Sequence, residues 1–173
     1  MSAASPSLVV VIHAVGSRDE VEPLLFTGQQ LQRRGHRVCI ATHTFLGDTV
    51  LEHGMEFFDI DFDSENDVSF ADSDAAVLPA IEFTDSNLRT QRRAMRSIME
   101  RCWLSCITPG RRSVQTETPT PPRVADLIIA NPQSMAHVHC AERLGIPFIL
   151  QSAYARLVHL DSAGLTAAQH ATL

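Results

Sequence analysis

The sequence predicts an α/β fold in which a parallel β-sheet carries helices on both faces. Three observations predict it. A helical stretch that ends at a glycine and passes at once into a β-rich run occurs three times. Two further runs are continuous in β-branched and aliphatic residues, as strands buried on both faces are. Helix and strand therefore alternate, the order that a sheet of parallel strands joined by crossovers requires.

Residues 8–15 form the first buried run and residues 127–130 the second. Between them, a helix through Leu24, Leu25 and Phe26 closes at Gly35 before the strand 36–41. Pro23 is expected in the first turn of that helix, where its missing N–H costs little. A second helix, 45–53, closes at Gly54 before the strand 55–60, and a third, 135–144, closes at Gly145 before the strand 146–150. Glycine at such a position accepts the left-handed backbone that ends a helix and lets the chain turn into a strand.

The middle of the chain differs. From Asp59 to Asp85 there are nine acidic residues and no Arg, so 61–85 reads as a solvated loop with a short helix near 75–81. A long helix over 86–107 follows, apolar at Leu88, Met95, Ile98, Met99, Cys102 and Cys106, with Arg89, Arg92, Arg93 and Arg96 mostly outside. Residues 108–123 read as a mobile linker rich in Pro, Thr and Arg. One domain is expected over 8–151, with a divergent tail over 152–173.

Composition bounds the function. A hydrophobic share of 45% and a charged share of 20% suit a soluble globular domain, and a net charge of −6 argues against a dedicated nucleic-acid binder. No apolar run approaches the ~20 residues needed to span a bilayer, and the first seven residues lack the basic start of a secretory signal. The four cysteines lie inside apolar periodic segments, which fits reduced thiols and a cytosolic setting.

Several motifs, in order, resemble one family. Gly16-Ser17-Arg18-Asp19-Glu20-Val21-Glu22-Pro23 resembles the Gly-Ser-Arg-Gly-Asp-Val-Gln-Pro loop of glycosyltransferase family 28, which includes the sterol 3-beta-glucosyltransferases. Gly35-His36-Arg37-Val38 with Ala41-Thr42-His43 is similar to its second strand, and Glu52-His53-Gly54-Met55-Glu56-Phe57-Phe58 to its third. Cys102-Trp103-Leu104-Ser105-Cys106 resembles the Cys-Trp-x-x-Cys segment on the long helix of the sterol enzymes. Ala125-Asp126-Leu127-Ile128-Ile129-Ala130-Asn131-Pro132, with His137-Val138-His139-Cys140-Ala141-Glu142, resembles their fourth strand and next helix. The resemblance implies the Rossmann-like, acceptor-side N-terminal half of a GT-B fold. It also implies a UDP-sugar donor, UDP-glucose, held mainly by a C-terminal domain missing here, and a sterol or other lipophilic alcohol as acceptor. The isolated chain is then expected to be inactive, and peripheral contact with a membrane is left open because a sterol must be drawn from one.

The departures fall in the first loop, where Asp19 replaces the family's Gly, Glu20 its Asp and Glu22 its Gln. Sugar transfer to a hydroxyl needs a base for the hydroxyl proton and stabilisation of the departing diphosphate. By resemblance Glu20 holds the position of the catalytic Asp, with Asp19 the alternative. On residue types alone, both carboxylates equally suit a helix N-terminus. Gly16, Ser17 and Arg18 are candidate substrate contacts from the same loop. Arg18 has a second reading as an exposed structural Arg. His43 either lines the acceptor cleft or packs structurally. Asn131 and Ser134 are expected to cap the helix that follows them first, with substrate contact secondary.

His13, inside the first strand, reads as a core histidine, and Cys102 and Cys106 read as core thiols. His137 and His139, two apart on a helix, make a poor metal pair, so neither a metal nor a bound cofactor is expected. Two other functions compete with transfer. One is a non-catalytic lipid- or metabolite-binding remnant without a donor domain. The other, an independent nucleotide-binding domain, ranks low because no Gly-x-Gly-x-x-Gly follows the first strand.

Overall fold

The computed structural model describes residues 6–61, 85–112 and 123–152. The expected helix near 75–81, most of the acidic loop, the middle of the linker and the tail lie outside the described residues.

Five strands form one parallel sheet: β1 (Val9–Ala14), β2 (Arg37–Thr42), β3 (Glu56–Asp59), β4 (Leu127–Ala130) and β5 (Phe148–Leu150), in the spatial order β3-β2-β1-β4-β5. The register is set around the central strand. Val11 of β1 pairs with Cys39 on one side and Ile128 on the other, and Thr42 of β2 pairs with Asp59 of β3. The helices are α1 (Arg18–Arg33), α2 (Gly47–Glu52), α3 (Asp85–Ile107) and α4 (His137–Leu144), with short 3-10 turns at Thr44–Leu46 and Pro132–Ser134.

Alternation along each strand divides the core into two layers. Val10, Ile12, Val38, Ile40 and Ile129 face Val21, Leu24 and Leu25 of α1 and Val50 of α2. Val11, Ala41, Ile128 and Ala130 face Cys102 and Cys106 of α3 and Cys140 and Ala141 of α4. Each fully buried aliphatic side chain contributes about 1.5–3 kcal/mol, so both faces of the sheet are driven together. Helices on both faces, as the alternation predicts, are what the structure has. Gly35, Gly54 and Gly145 end their helices with φ of 88°, 72° and 68°.

Three expectations need correction. First, α1 begins at Arg18 rather than near Pro23, which therefore lies in its second turn. The polar first turn carries no hydrophobic periodicity, so the start is hidden from the pattern. Pro23 withdraws only the bond that the Asp19 carbonyl would accept. Its own carbonyl accepts from Thr27 Oγ1 (3.0 Å) and from Gln151 Nε2 (3.2 Å), which ties α1 to the chain leaving β5.

Second, the start of the linker is packed down rather than loose. Arg111 and Phe57 exchange both backbone hydrogen bonds (2.8 and 2.7 Å), which covers the outer edge of β3. Glu56, buried at the amino end of β3, accepts from Arg37 Nε (2.7 Å) and Arg112 Nε (2.8 Å), and Arg123 Nε lies 3.7 Å away. Burial pushes this carboxyl up, but the three guanidinium groups outweigh it and hold it below the usual range.

Third, Asn131 and Ser134 make no capping hydrogen bond. The 3-10 turn that Asn131 opens lacks a side-chain cap, and the residue before α4 is Ala136. Their side chains are used elsewhere, as described below.

His13 is fully buried, with Nε2 3.2 Å from Ser105 Oγ. Burial, helped by nearby His137, lowers its pKa to about 4, so it is a neutral core residue near neutrality. Cys102 and Cys106 are also fully buried, while Arg89, Arg92, Arg93 and Arg96 of α3 are exposed.

Candidate active site

In an open parallel sheet, ligands meet the loops beyond the carboxyl ends of the strands. At that end the chain gathers the turn after β1 (Gly16, Ser17), the residue after β2 (His43), the end of β3 (Asp59, Asp61) and the turn after β4 (Asn131, Gln133, Ser134).

The turn after β1 is built around Gly16, whose φ of 130° is open to glycine and strained for other residues. A Cβ there would also collide with the Glu20 carboxylate. Ser17 is the N-cap of α1 and Glu20 its third residue. Glu20 Oε2 accepts from the Ser17 amide (2.9 Å) and the Ser17 hydroxyl (3.0 Å), while Oε1 accepts from Gln133 Nε2 (2.9 Å). The carboxylate thus satisfies one orphan donor of the helix start and joins the β1 turn to the β4 turn. Glu20 is only 5% exposed, whereas Arg18 and Asp19 face solvent.

Asn131 fixes the same turn from the other side. Its Oδ1 accepts from Val15 N (3.2 Å) and its Nδ2 donates to Val15 O (2.6 Å). Two backbone groups beyond the end of β1 are satisfied by one buried amide. Ser134 Oγ lies 2.9 Å from His137 Nδ1, also buried. Between them, Met135 adopts the left-handed region (φ 51°), the one non-glycine residue to do so among the described residues.

His43 is buried and joins β1 to β3. Gly16 N–H donates to its Nε2 (3.2 Å), and its Nδ1 lies 2.5 Å from Asp61 Oδ1. Asp61 Oδ2 accepts from Thr44 N (2.7 Å), and Asp59 Oδ1 accepts from Thr44 Oγ1 (3.0 Å) and Asp61 N (2.9 Å). Burial raises the Asp61 carboxyl, but the His43 and Thr44 bonds more than offset this and leave it below the ordinary range.

Of the residues singled out from sequence, Gly16, Ser17, Glu20, His43 and Asn131 are therefore hydrogen-bonded around one turn. Arg18 and Asp19 stand beside it in solvent, and Ser134 is turned toward α4. Asp61, Gln133 and Asn131's bridge to Val15 were not foreseen. Thr42 Oγ1 and Gln133 Oε1, both buried near this end, have no hydrogen-bond partner among the described residues.

Comparison with known proteins bears on this geometry. Residues 10–159 match the model of the glycosyltransferase family 28 N-terminal domain. Two sterol 3-beta-glucosyltransferases of Arabidopsis thaliana, UGT80B1 and UGT80A2, are 35% and 32% identical over 142 residues. The alignment covers 82% of this chain but only 22% and 21% of theirs. A sterol 3-beta-glucosyltransferase of Candida albicans is 27% identical over 83% of this chain and 8% of its own. The chain thus spans about a fifth or less of the length of these relatives.

Among solved structures, the calicheamicin glycosyltransferase CalG4 superposes with a TM-score of 0.52 at 19% identity, over 84% of this chain and 30% of that one. The glycosyltransferase of kitacinnamycin gives 0.54 at 18%, over 85% and 30%. These place the sheet and its helices as the N-terminal half of a GT-B fold. With that architecture, and with the family match running through the turn after β1 and the strands around it, the chain belongs to glycosyltransferase family 28 and carries that family's N-terminal domain.

Proposed function

We propose that this chain is the acceptor-side half of a UDP-sugar-dependent transferase that moves a hexose, glucose, to the hydroxyl of a sterol or another lipophilic alcohol. The observation that supports it most is the matched Gly16–Glu20 turn, held at the carboxyl end of the sheet by partners from two other segments, the residues after β2 and after β4. The names of the plant and yeast relatives support glucose as the sugar and a sterol as the acceptor.

In this proposal Glu20 takes the hydroxyl proton as the glycosidic bond forms, and Asp19 is the alternative base. Ser17 and Gln133 fix the orientation of the Glu20 carboxylate. Gly16, Ser17 and Arg18 face the donor diphosphate, and His43, Asn131 and Ser134 shape the acceptor side. In such a transferase the donor is held chiefly by a second domain, outside the N-terminal domain that residues 10–159 match.

Joined to the donor half of a family relative, the chain should transfer glucose from UDP-glucose to a sterol, detected as the glucoside by mass spectrometry. A folded chimera that binds UDP-glucose yet forms no glucoside would count against it. The three hydrogen bonds that occupy Glu20 favour a second possibility, a lipid-binding module without catalysis. It predicts that Glu20→Ala leaves titration with a fluorescent sterol unchanged while no chimera is active.

A further inference from the structure

The hydrogen bonds around His43 fix where its proton sits. The Gly16 amide can only donate, so Nε2 must accept and carry no hydrogen. The proton is then on Nδ1, and Asp61 Oδ1, 2.5 Å away, receives it. Asp61 is itself held on both sides, by Thr44 N–H at Oδ2 and by Asp59 through the Asp61 amide. Phe45 stacks on the imidazole with ring centres 5.8 Å apart. A carboxylate that sets an imidazole's tautomer and orientation is a recurring device in enzyme sites.

The geometry points to His43 and Asp61 as a positioning pair: Asp61 holds the proton on Nδ1 so that Nε2 anchors the Gly16 amide and fixes the turn that presents Ser17 and Glu20. This rests on the proposed transfer reaction for its consequence, though not for its structure. Gly16 is the pivot, since Glu20 Oε2 packs against its α-carbon where no Cβ fits. Moving the Gly16 amide therefore moves the carboxylate. Misplacement of a reacting group by about 1 Å is enough to slow a reaction substantially.

Two substitutions separate positioning from packing. In His43→Gln the side-chain amide reaches the place of Nε2 and can still accept from Gly16. In His43→Asn it reaches only the place of Nδ1, which keeps the Asp61 contact and loses the Gly16 bond. In the 173-residue chain, nitrogen NMR of the imidazole should show the proton on Nδ1. Exchange of the Gly16 amide should quicken roughly five- to tenfold in His43→Asn and Asp61→Ala, the size expected from one net hydrogen bond, and stay near wild type in His43→Gln. A proton on Nε2, or equal Gly16 exchange in the Gln and Asn variants, would overturn the pair. In the chimera with a donor half, kcat should fall about tenfold in His43→Asn, with KM for UDP-glucose unchanged and His43→Gln restoring most of the loss. Equal kcat in both variants would remove the link to the reaction. A wild-type chimera without activity would remove the transfer proposal and that link together, while the NMR and exchange results still decide whether the pair exists.

Discussion

The carboxylate of Glu20 receives both the amide and the hydroxyl of Ser17, three residues earlier, at 2.9 and 3.0 Å. A side chain that the family resemblance offers for chemistry therefore also closes the first turn of α1. Substitutions that keep or remove these hydrogen bonds therefore distinguish the structural role from the chemical one.

Glu20→Ala should destabilise the chain by about 2 kcal/mol, the sum of a lost helix cap and the unpaired Gln133 amide. Glu20→Gln keeps one acceptor and should lose about half as much. Urea unfolding followed by circular dichroism reads both. An alanine variant as stable as wild type would show that these hydrogen bonds hold nothing.

Asn131 satisfies both backbone groups of Val15 from within the protein. Its replacement by Ala should cost about 1–2 kcal/mol by leaving a half-buried N–H and C=O without their protein partner. Asn131→Asp restores the acceptor but sets a carboxylate against the Val15 carbonyl, so it should rescue little. If the aspartate variant matched wild type in thermal unfolding, the bridge would not be what holds the turn.

Glu56 is enclosed by Arg37, Arg112 and Arg123, and the Arg123 side chain is almost fully buried. Glu56→Gln strands that guanidinium and should cost about 3 kcal/mol, as breaking one side of a buried pair does. The segment 110–112, which Glu56 helps to hold on β3, should become cleavable by trypsin at Arg111 and Arg112. Unchanged digestion there would contradict the clasp.

His13 sets a pH dependence. Burial lowers its pKa from the ordinary histidine value of 6.5 to about 4 on folding, so between those pH values the unfolded chain binds the extra proton. Its contribution is therefore complete above about pH 6.5 and is lost as pH falls toward 4. The slope approaches about 1.4 kcal/mol per pH unit within that window. Denaturation midpoints measured from pH 7 to 4.5 should show this fall, and His13→Gln should flatten it. An unaltered slope in the variant would assign the effect to other groups.

The sheet was legible because parallel strands buried on both faces leave continuous aliphatic runs such as Val9, Val10, Val11 and Ile12. The helix ends were legible where glycine marks them. The start of α1 was not, since Arg18, Asp19 and Glu20 are polar and only the Ser17-x-x-Glu20 spacing announces a cap. The folding of 110–112 onto β3 depends on Phe57, far back in the chain, and local composition suggested only a linker. Gln133 and Asn131 meet their partners across more than a hundred residues, a relation that a single sequence does not display. At the site, the family motif located the turn, whereas the hydrogen bonds that occupy Glu20 needed coordinates.

The most direct test is the turnover of the donor-half chimera with UDP-glucose and a sterol, comparing Glu20→Gln with Asp19→Asn. If the buried carboxylate takes the hydroxyl proton, Glu20→Gln should lower kcat by about 100-fold or more, while Asp19→Asn stays within a few-fold of wild type. Equal kcat for Glu20→Gln and wild type would contradict a reacting role for Glu20, and a collapse confined to Asp19→Asn would move that role to the solvent-facing neighbour.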